Sequence, residues 1–243
     1  MLEATFWGFV GGAALLVGAM LGLWANPSAR VIGLVMAFGA GVLVSALAFE
    51  LTAEAYDRGG STAAVVGLAG GALTFYAGDW VIDHRGGEHR KRSGGQQAAG
   101  SGNAIVLGAL LDGIPESVAI GVSLLGGGSV GVPVVAAVFL SPGPESLSAA
   151  TGLRRAGHSN RWILGLWAAV AVVSAVAAGA GFLLLGGASP AVIAVIQAFA
   201  AGAILTMLAD TMMPEAFENG GSSVGLLTAL GFTLAFLLSR AGG

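Results

Sequence analysis

The fold is decided by the stretch Leu107–Leu125, which reads LGALLDGIPESVAIGVSLL. It is apolar enough to lie in a bilayer, yet its middle carries Asp112, Pro115 and Glu116. A carboxylate at the centre of a membrane helix costs roughly 2.5–3.5 kcal/mol on insertion scales, so two on one segment indicate a function. Because the two acids are four residues apart, they share one helical face. We expect Pro115, which lacks a backbone N–H, to free carbonyl oxygens beside them and form a notch that holds a cation.

The next apolar segment repeats this arrangement. Val134–Leu153 reads VVAAVFLSPGPESLSAATGL, and its Pro144-Glu145-Ser146 matches the earlier Pro115-Glu116-Ser117. Ser141 stands four residues before Glu145, where the first segment has Asp112. Two consecutive spans are therefore predicted to place a Pro-Glu-Ser sequence at mid-membrane depth.

The composition is that of a polytopic membrane protein. Of the 243 residues, 56% are hydrophobic and 9% are charged, whereas about a quarter of the residues of a soluble domain are charged. The absence of cysteine excludes disulfides and thiolate metal sites, and a net charge of −3 excludes nucleic-acid binding on electrostatic grounds. We predict an all-α membrane protein in which residues 1–243 form one polytopic domain.

Long apolar runs of about 20 residues predict eight transmembrane helices. The predicted spans are Ala4–Trp24, Val31–Glu50, Thr62–Ile82, Asn103–Leu125, Val130–Leu153, Trp162–Leu185, Pro190–Met213 and Ser222–Ser239. The polar connection between spans three and four, residues 83–102, is expected to be a flexible loop on the inner side.

The basic residues predict how these spans are oriented. If the N-terminus lies outside, eight of the ten basic residues face inward and only Arg58 and Arg240 face outward. This asymmetry agrees with the positive-inside rule. We therefore expect a multi-pass protein of the cell membrane with both termini outside.

An internal repeat relates the second span to the seventh. Shifting the chain by 161 residues places Ala37–Thr62 on Ala198–Ser223 without a gap, and 11 of the 26 aligned residues are identical. The matched residues include Glu54 with Glu215. In the predicted topology the two spans run in opposite directions, so the repeat is inverted, with three helices on each side of a central pair. Inverted repeats that meet at a mid-membrane site are typical of secondary transporters.

Three acids, Asp112, Glu116 and Glu145, are the strongest candidates for a metal site. The structural alternative is that they only pin the helices around the two prolines. Three mid-span carboxylates without a mid-span Lys or Arg favour a bound cation or protonation instead. Asp210 is a further candidate. Three more acids, Glu50, Glu54 and Glu215, lie near the ends of spans two and seven. They could be stations on a cation path or ordinary interfacial acids.

These motifs resemble those of the ZIP family of divalent metal transporters, in particular its GufA-like bacterial branch. In that family span four carries His-Asn-x-Pro-Glu-Gly, which here reads Asp112-Gly113-Ile114-Pro115-Glu116-Ser117. The related motif of span five corresponds to Ser141-Pro142-Gly143-Pro144-Glu145-Ser146. Span seven of the family ends near His-Glu-x-x-Pro-Glu, which here reads Asp210-Thr211-Met212-Met213-Pro214-Glu215. The resemblance implies eight spans, both termini outside and a 3+2+3 inverted repeat.

The resemblance also implies the metal ligands, with changes that bear on which ion is transported. The family's histidine of span four is replaced by Asp112 and the histidine or glutamine of span five by Ser141, while Glu116 and Glu145 are retained. The implied site has one metal position, with Asp112, Glu116, Glu145, Ser141 and Asp210 as its metal residues. Such an oxygen-rich set suits Mn²⁺, Mg²⁺ or Fe²⁺ better than an imidazole site does.

The expected function is therefore inward transport of Zn²⁺ or a harder divalent cation through a mid-membrane carboxylate site. The metal ion is the substrate, the bilayer is the surroundings, and no organic cofactor or enzymatic activity is expected. A homodimer is compatible with this interpretation. Two alternatives stay open, proton-coupled export of another solute on the same scaffold and a transport-inactive membrane scaffold or sensor.

Overall fold

The structure, a computed structural model, describes residues 1–87, 92–95, 102–126 and 142–241. Within these ranges the chain is helical and forms no β-strand, so the expected all-α class is confirmed. We number the α-helices α1 (Leu2–Trp24), α2 (Ala29–Ala46), α3 (Ala53–Ile82), α4 (Gly102–Ser123), α5 (Pro142–Arg155), α6 (Asn160–Leu185), α7 (Pro190–Met207), α8 (Met213–Gly220) and α9 (Val224–Ala241). Short π-helical turns cover Leu47–Thr52, Asp83–Gly87 and Leu208–Met212, and 3₁₀ turns cover Leu124–Gly126 and Gly221–Ser223.

Serine side chains begin three of the apolar helices. Ser28, Ser159 and Ser189 each have extended backbone and accept a hydrogen bond from the backbone N–H three residues later, at 3.3, 3.3 and 3.4 Å. A serine in this position satisfies one of the unpaired N–H groups at a helix start. The sequence Asn26-Pro27-Ser28 therefore ends one helix and starts the next, as predicted.

Four continuous helical stretches of the described residues are long and apolar enough to cross a bilayer, namely Leu2–Trp24, Ala29–Gly87, Asn160–Leu185 and Pro190–Arg240. The second contains 59 residues and would be about 90 Å long if straight, against a hydrocarbon core of about 30 Å. Gly60 interrupts this stretch with φ 73° and ψ −176°, and Gly221 interrupts the fourth with φ 65° and ψ −149°. Both glycines lie between predicted spans. Each has a positive φ, which glycine adopts readily because it has no Cβ.

The helices extend beyond two of the predicted span ends. The spans were predicted to end at Glu50 and at Met213, and the helix continues from each of them to the glycine breaks at Gly60 and Gly221. The continuation passes through the π-helical turns Leu47–Thr52 and Leu208–Met212. The second of these turns places Pro214 at the start of α8, where a missing N–H costs little. A proline that would end a regular helix is thereby accommodated.

Close helix contacts recur at the repeat spacing. A Cβ atom on Gly41 would overlap the carbonyl oxygen of Thr228, and one on Gly202 would overlap that of Leu68. Gly41 and Gly202 are 161 residues apart, and Leu68 and Thr228 are 160 apart. The packing of α2 on α9 therefore matches the packing of α7 on α3 to within one residue of the repeat spacing.

The contacts also give the relative direction of the two repeated helices. A Cβ on Gly33, early in α2, would overlap the backbone nitrogen of Gly220, at the end of α8. Six residues later, a Cβ on Gly39 would lie 2.9 Å from Cε of Met212. Because the partner number falls as the α2 number rises, α2 runs antiparallel to the stretch that ends in α8.

The helices pack as two groups. The first helix group contains α1, α4, α5 and α6, and its core includes Leu15, Leu153 and Trp167. The second helix group contains α2, α3, α7, α8 and α9, with a core built around Met36 and Met207. Contacts between the groups are sparser and run mainly from α4 to α7 and from α5 to α2. The predicted metal residues on α4 and α5 therefore belong to the first helix group, at its border with the second.

Candidate metal site

Helix α4 carries the first two predicted ligands. Asp112 is buried, with 6% of its surface exposed, and Glu116 is half-buried. The helix continues through Pro115. The hydroxyl of Ser117 donates to the carbonyl oxygen of Gly113, four residues earlier, at 2.6 Å, a type of bond that often bends a helix. Asp112 and Glu116 thus lie one turn apart on a continuous helix.

Helix α5 carries Glu145 between neighbouring helices of both groups. Glu145 is also 6% exposed. The Ser146 hydroxyl donates to the carbonyl oxygens of Pro142 and Gly143, each at 3.0 Å. Gly18 of α1 lets that helix approach closely, because a Cβ there would overlap the Gly143 carbonyl oxygen and the Ser146 hydroxyl. An ionised carboxylate so enclosed requires a compensating charge or hydrogen bonds.

The predicted ligands lie only partly within the residues that the structure describes. Among the described residues, no three side chains of the His, Asp and Glu types converge as a group that could hold a metal ion. Ser141 and the first part of the predicted fifth span, 130–141, lie outside the described residues. The mutual approach of Glu116 and Glu145 therefore stays a prediction.

Asp210 differs from the other predicted ligands. It lies in the π-helical turn Leu208–Met212 and is exposed rather than buried. Its carboxylate is close enough to that of Asp79 on α3 for the two to repel each other electrostatically. The pair places two acids where α3 packs against the stretch that begins with α7. π-Helical turns frequently occur at functional sites.

A second acidic centre, whose hydrogen-bond donors were not predicted from the sequence, is built around Glu215. This side chain is 2% exposed and lies in the first turn of α8. Its Oε1 accepts from the backbone N–H of Ser93 at 3.0 Å, the hydroxyl of Ser93 at 2.6 Å and the hydroxyl of Ser148 at 3.2 Å. Arg92 donates to its Oε2 at 3.4 Å. Glu215, for which the sequence left open an interfacial acid or a station on a cation path, is thus a buried carboxylate with both oxygens hydrogen-bonded.

The repeat partner of Glu215 has a different environment. The Glu54 side chain is 41% exposed and accepts from Gln197 at 2.8 Å and from Arg58 at 3.3 Å. Glu50, one turn earlier, accepts from the Ser239 hydroxyl of α9. These partners all belong to the second helix group.

The chain resembles curated zinc transporters over nearly its whole length. It is 30% identical over 245 residues to the "Zinc transporter ZupT" of Enterobacter sp. (strain 638), covering 93% of each chain. It is 28% identical over 256 residues to the protein of that name from Salmonella heidelberg (strain SL476), covering 98% of each chain. The protein of that name from Salmonella newport (strain SL254) is 29% identical over 245 residues and 93% of each chain. No protein-family model matches the chain.

These matches span both halves of the repeat and the two central helices that carry Asp112, Glu116 and Glu145. The identity and the coverage reach the level at which relatives share one fold, and the apolar helices described above agree with that fold. This chain belongs to the ZIP family of divalent metal transporters.

Proposed function

We propose that this protein is a divalent metal-ion transporter of the ZIP type that moves Zn²⁺ toward the cytoplasm. The observation that carries the proposal is the near full-length similarity to zinc transporters, combined with two buried carboxylates on apolar helices. Zinc is the ion named for the relatives. Mn²⁺ and Fe²⁺ are included as candidate substrates because the predicted ligands are oxygens rather than imidazoles.

The proposed ion site is formed by Asp112 and Glu116 of α4, Glu145 of α5, Ser141 and Asp210. Burial of Asp112 and Glu145 supports this assignment, since a divalent ion offsets the cost of holding carboxylates deprotonated away from water. Protons compete with the ion for the same oxygens, so metal affinity is expected to fall as the pH falls.

The proposed transport movement is a displacement of the first helix group against the second. The ligands on α4 and α5 lie on the first group, and Asp210 lies on the second, with sparser packing between the groups than within them. A displacement at this border exposes the site to one side of the membrane and then to the other. In this proposal the ligand set opens and closes with the movement.

The proposed architecture is eight spans in a 3+2+3 inverted repeat. The glycine breaks at Gly60 and Gly221, the equivalent contacts of Gly41 and Gly202, and the antiparallel course of α2 and α8 support it. A bilayer about 30 Å thick also requires the 59-residue stretch to cross twice.

The proposed topology has both termini outside and residues 83–102 in the cytoplasm. One end of the helix bundle gathers arginines on separate segments, since Arg92 contacts Glu215, Arg155 contacts Ser93, and Arg154 contacts the carbonyl oxygen of Leu23. Basic residues concentrated at one end favour that end as cytoplasmic.

The experiment that tests the transport proposal is metal uptake into proteoliposomes. Vesicles containing the purified protein should accumulate Zn²⁺ saturably and faster than protein-free vesicles, with Mn²⁺, Fe²⁺ and Co²⁺ measured in parallel. Proton-coupled export of another solute predicts proton flux that no metal affects. A transport-inactive scaffold predicts uptake equal to that of empty vesicles. The relatives do not favour either alternative.

A further inference from the structure

The segment Arg92–Gly95 contacts both helix groups at the same end of the molecule. On the second helix group, it reaches the buried carboxylate of Glu215, to which Ser93 donates through its backbone N–H and its hydroxyl. On the first, it is bound by Arg155 of α5, whose guanidinium donates to the Ser93 carbonyl oxygen at 2.8 Å. The segment is thus bonded to two elements that belong to different packing groups.

Direct contact between the groups passes through the same carboxylate. The Ser148 hydroxyl of α5 donates to Oε1 of Glu215 on α8 at 3.2 Å, the same oxygen that Ser93 binds. Ser148 is fully buried, and Glu215 is 2% exposed. Hydrogen bonds to an ionised group are stronger than neutral ones, and the loss of a donor from a buried carboxylate is costly.

Charge and backbone conformation reinforce the arrangement. Arg92 also pairs with Glu218, one turn after Glu215 on α8. Gly95 has φ 81°, and a Cβ on it would lie 2.8 Å from Cβ of Arg155, so a glycine is needed for the segment to turn against α5. The segment is therefore fitted to α5 through its shape and to α8 through its charge.

The repeat partner of Glu215 is bonded differently. Glu54, the repeat partner of Glu215, is bonded to Gln197 and Arg58, and both of these lie in the second helix group. The two repeat-related acids thus differ in one respect that matters for a relative movement of the groups. Of these two acids, Glu215 is bonded to the other helix group and Glu54 is bonded within its own.

We propose that Arg92–Gly95, with Arg155, Ser148 and Glu215, forms a clasp that holds the two helix groups in the arrangement seen here and must open in each transport cycle. This inference rests on the proposed function, because it assumes that transport moves one group against the other. The clasp needs no metal ion, since its cation is the guanidinium of Arg92. Weakening it should raise the population of molecules in which the groups have separated at this end.

A disulfide across the clasp tests whether it must open. The chain has no cysteine, and the hydroxyls of Ser93 and Ser148 bind the same oxygen of Glu215, so the double variant Ser93→Cys/Ser148→Cys brings two thiols together. Oxidation should stop Zn²⁺ uptake and reduction should restore it, while each single variant should be insensitive to the oxidant. Uptake that continues with the disulfide formed, or failure of the disulfide to form, would overturn the proposal.

Thiol labelling provides a test that does not depend on transport. In a Ser148→Cys background, Arg92→Ala should raise the rate of modification by N-ethylmaleimide about tenfold, the effect of losing a charge-assisted bond to a buried acid. The matched control is Arg85→Ala, which removes the same charge from an exposed position near the start of the connection. Equal labelling rates in the two variants would overturn the clasp. If the wild-type protein takes up no metal ion, the proposed function fails while the labelling result still decides the clasp.

Discussion

Glu54 and Glu215 occupy equivalent positions of the internal repeat, yet Glu54 is 41% exposed and Glu215 is 2% exposed. The difference comes from their partners. Glu54 is bonded within its own helix group, whereas Glu215 is covered by Ser93 and Ser148. A repeat that is symmetric in sequence is therefore asymmetric in its bonding. In the proposed movement of one helix group against the other, the bond from Ser148 to Glu215 has to break, whereas the bond from Gln197 to Glu54 does not.

The topology can be tested by cysteine labelling at positions that are exposed in the structure. Ser93 is buried beneath Glu215, so the exposed Arg85 is the suitable position in this connection. We expect Arg85→Cys to react with a membrane-impermeant maleimide only after the cell membrane is permeabilised. Asp57→Cys, beside the Gly60 break, is its opposite-side control and should react in intact cells. Reaction of Arg85→Cys in intact cells would reverse the proposed orientation.

The symmetric packing predicts that the two glycines of the repeat are equally important for stability. Gly41→Leu and Gly202→Leu both drive a side chain into a backbone carbonyl of the neighbouring helix. Overpacking of this kind costs about 1–3 kcal/mol or more. We expect both variants to lower the thermal unfolding temperature in detergent by similar amounts.

The control for this experiment is Gly165→Leu, because no atom lies within 4 Å of a Cβ at that position. It should unfold at or slightly above the wild-type temperature, since glycine is a poor helix former. A large effect of Gly41→Leu with none from Gly202→Leu would contradict the equivalence of the two packing faces.

The ligand chemistry at position 112 should influence the choice of ion. Asp112→His introduces an imidazole nitrogen where the resemblance places a family histidine, and nitrogen ligands favour Zn²⁺ over Mn²⁺. We expect the ratio of Zn²⁺ to Mn²⁺ affinity to rise relative to the wild type. Asp112→Asn is the control, since it removes the charge without adding nitrogen coordination of that kind. An equal ratio in the two variants would exclude position 112 from the metal site.

Much of the helix pattern could be predicted from the sequence, because it depends on residues close to one another. Gly60 and Gly221 mark two breaks, and Ser28 and Ser189 start α2 and α7, each through local backbone chemistry. The continuation of helix past Glu50 and Pro214 could not be predicted. It depends on π-helical turns, which no composition signal identifies.

The site was predictable only in part for a similar reason. Buried acids in apolar helices are conspicuous in the sequence, and Asp112 and Glu145 are indeed buried. The environment of Glu215 was not predictable, because its donors Ser93 and Ser148 lie 122 and 67 residues away along the chain. Serines carry no spacing signal of their own, although the match of Glu215 to Glu54 did mark the position as special.

The most direct test of the central claim, that the paired glutamates bind the transported ion, is calorimetric titration with Zn²⁺ and Mn²⁺ of the wild type, Glu116→Ala and Glu145→Ala. Asp57→Asn, which removes an exposed acid outside the proposed site, is the control, and thermal unfolding shows that each variant is folded. The account predicts that saturable binding is lost in both alanine variants and retained in Asp57→Asn. Unchanged affinity in both alanine variants would mean that the paired Pro-Glu-Ser sequences only shape the helices, and it would contradict the proposed metal site.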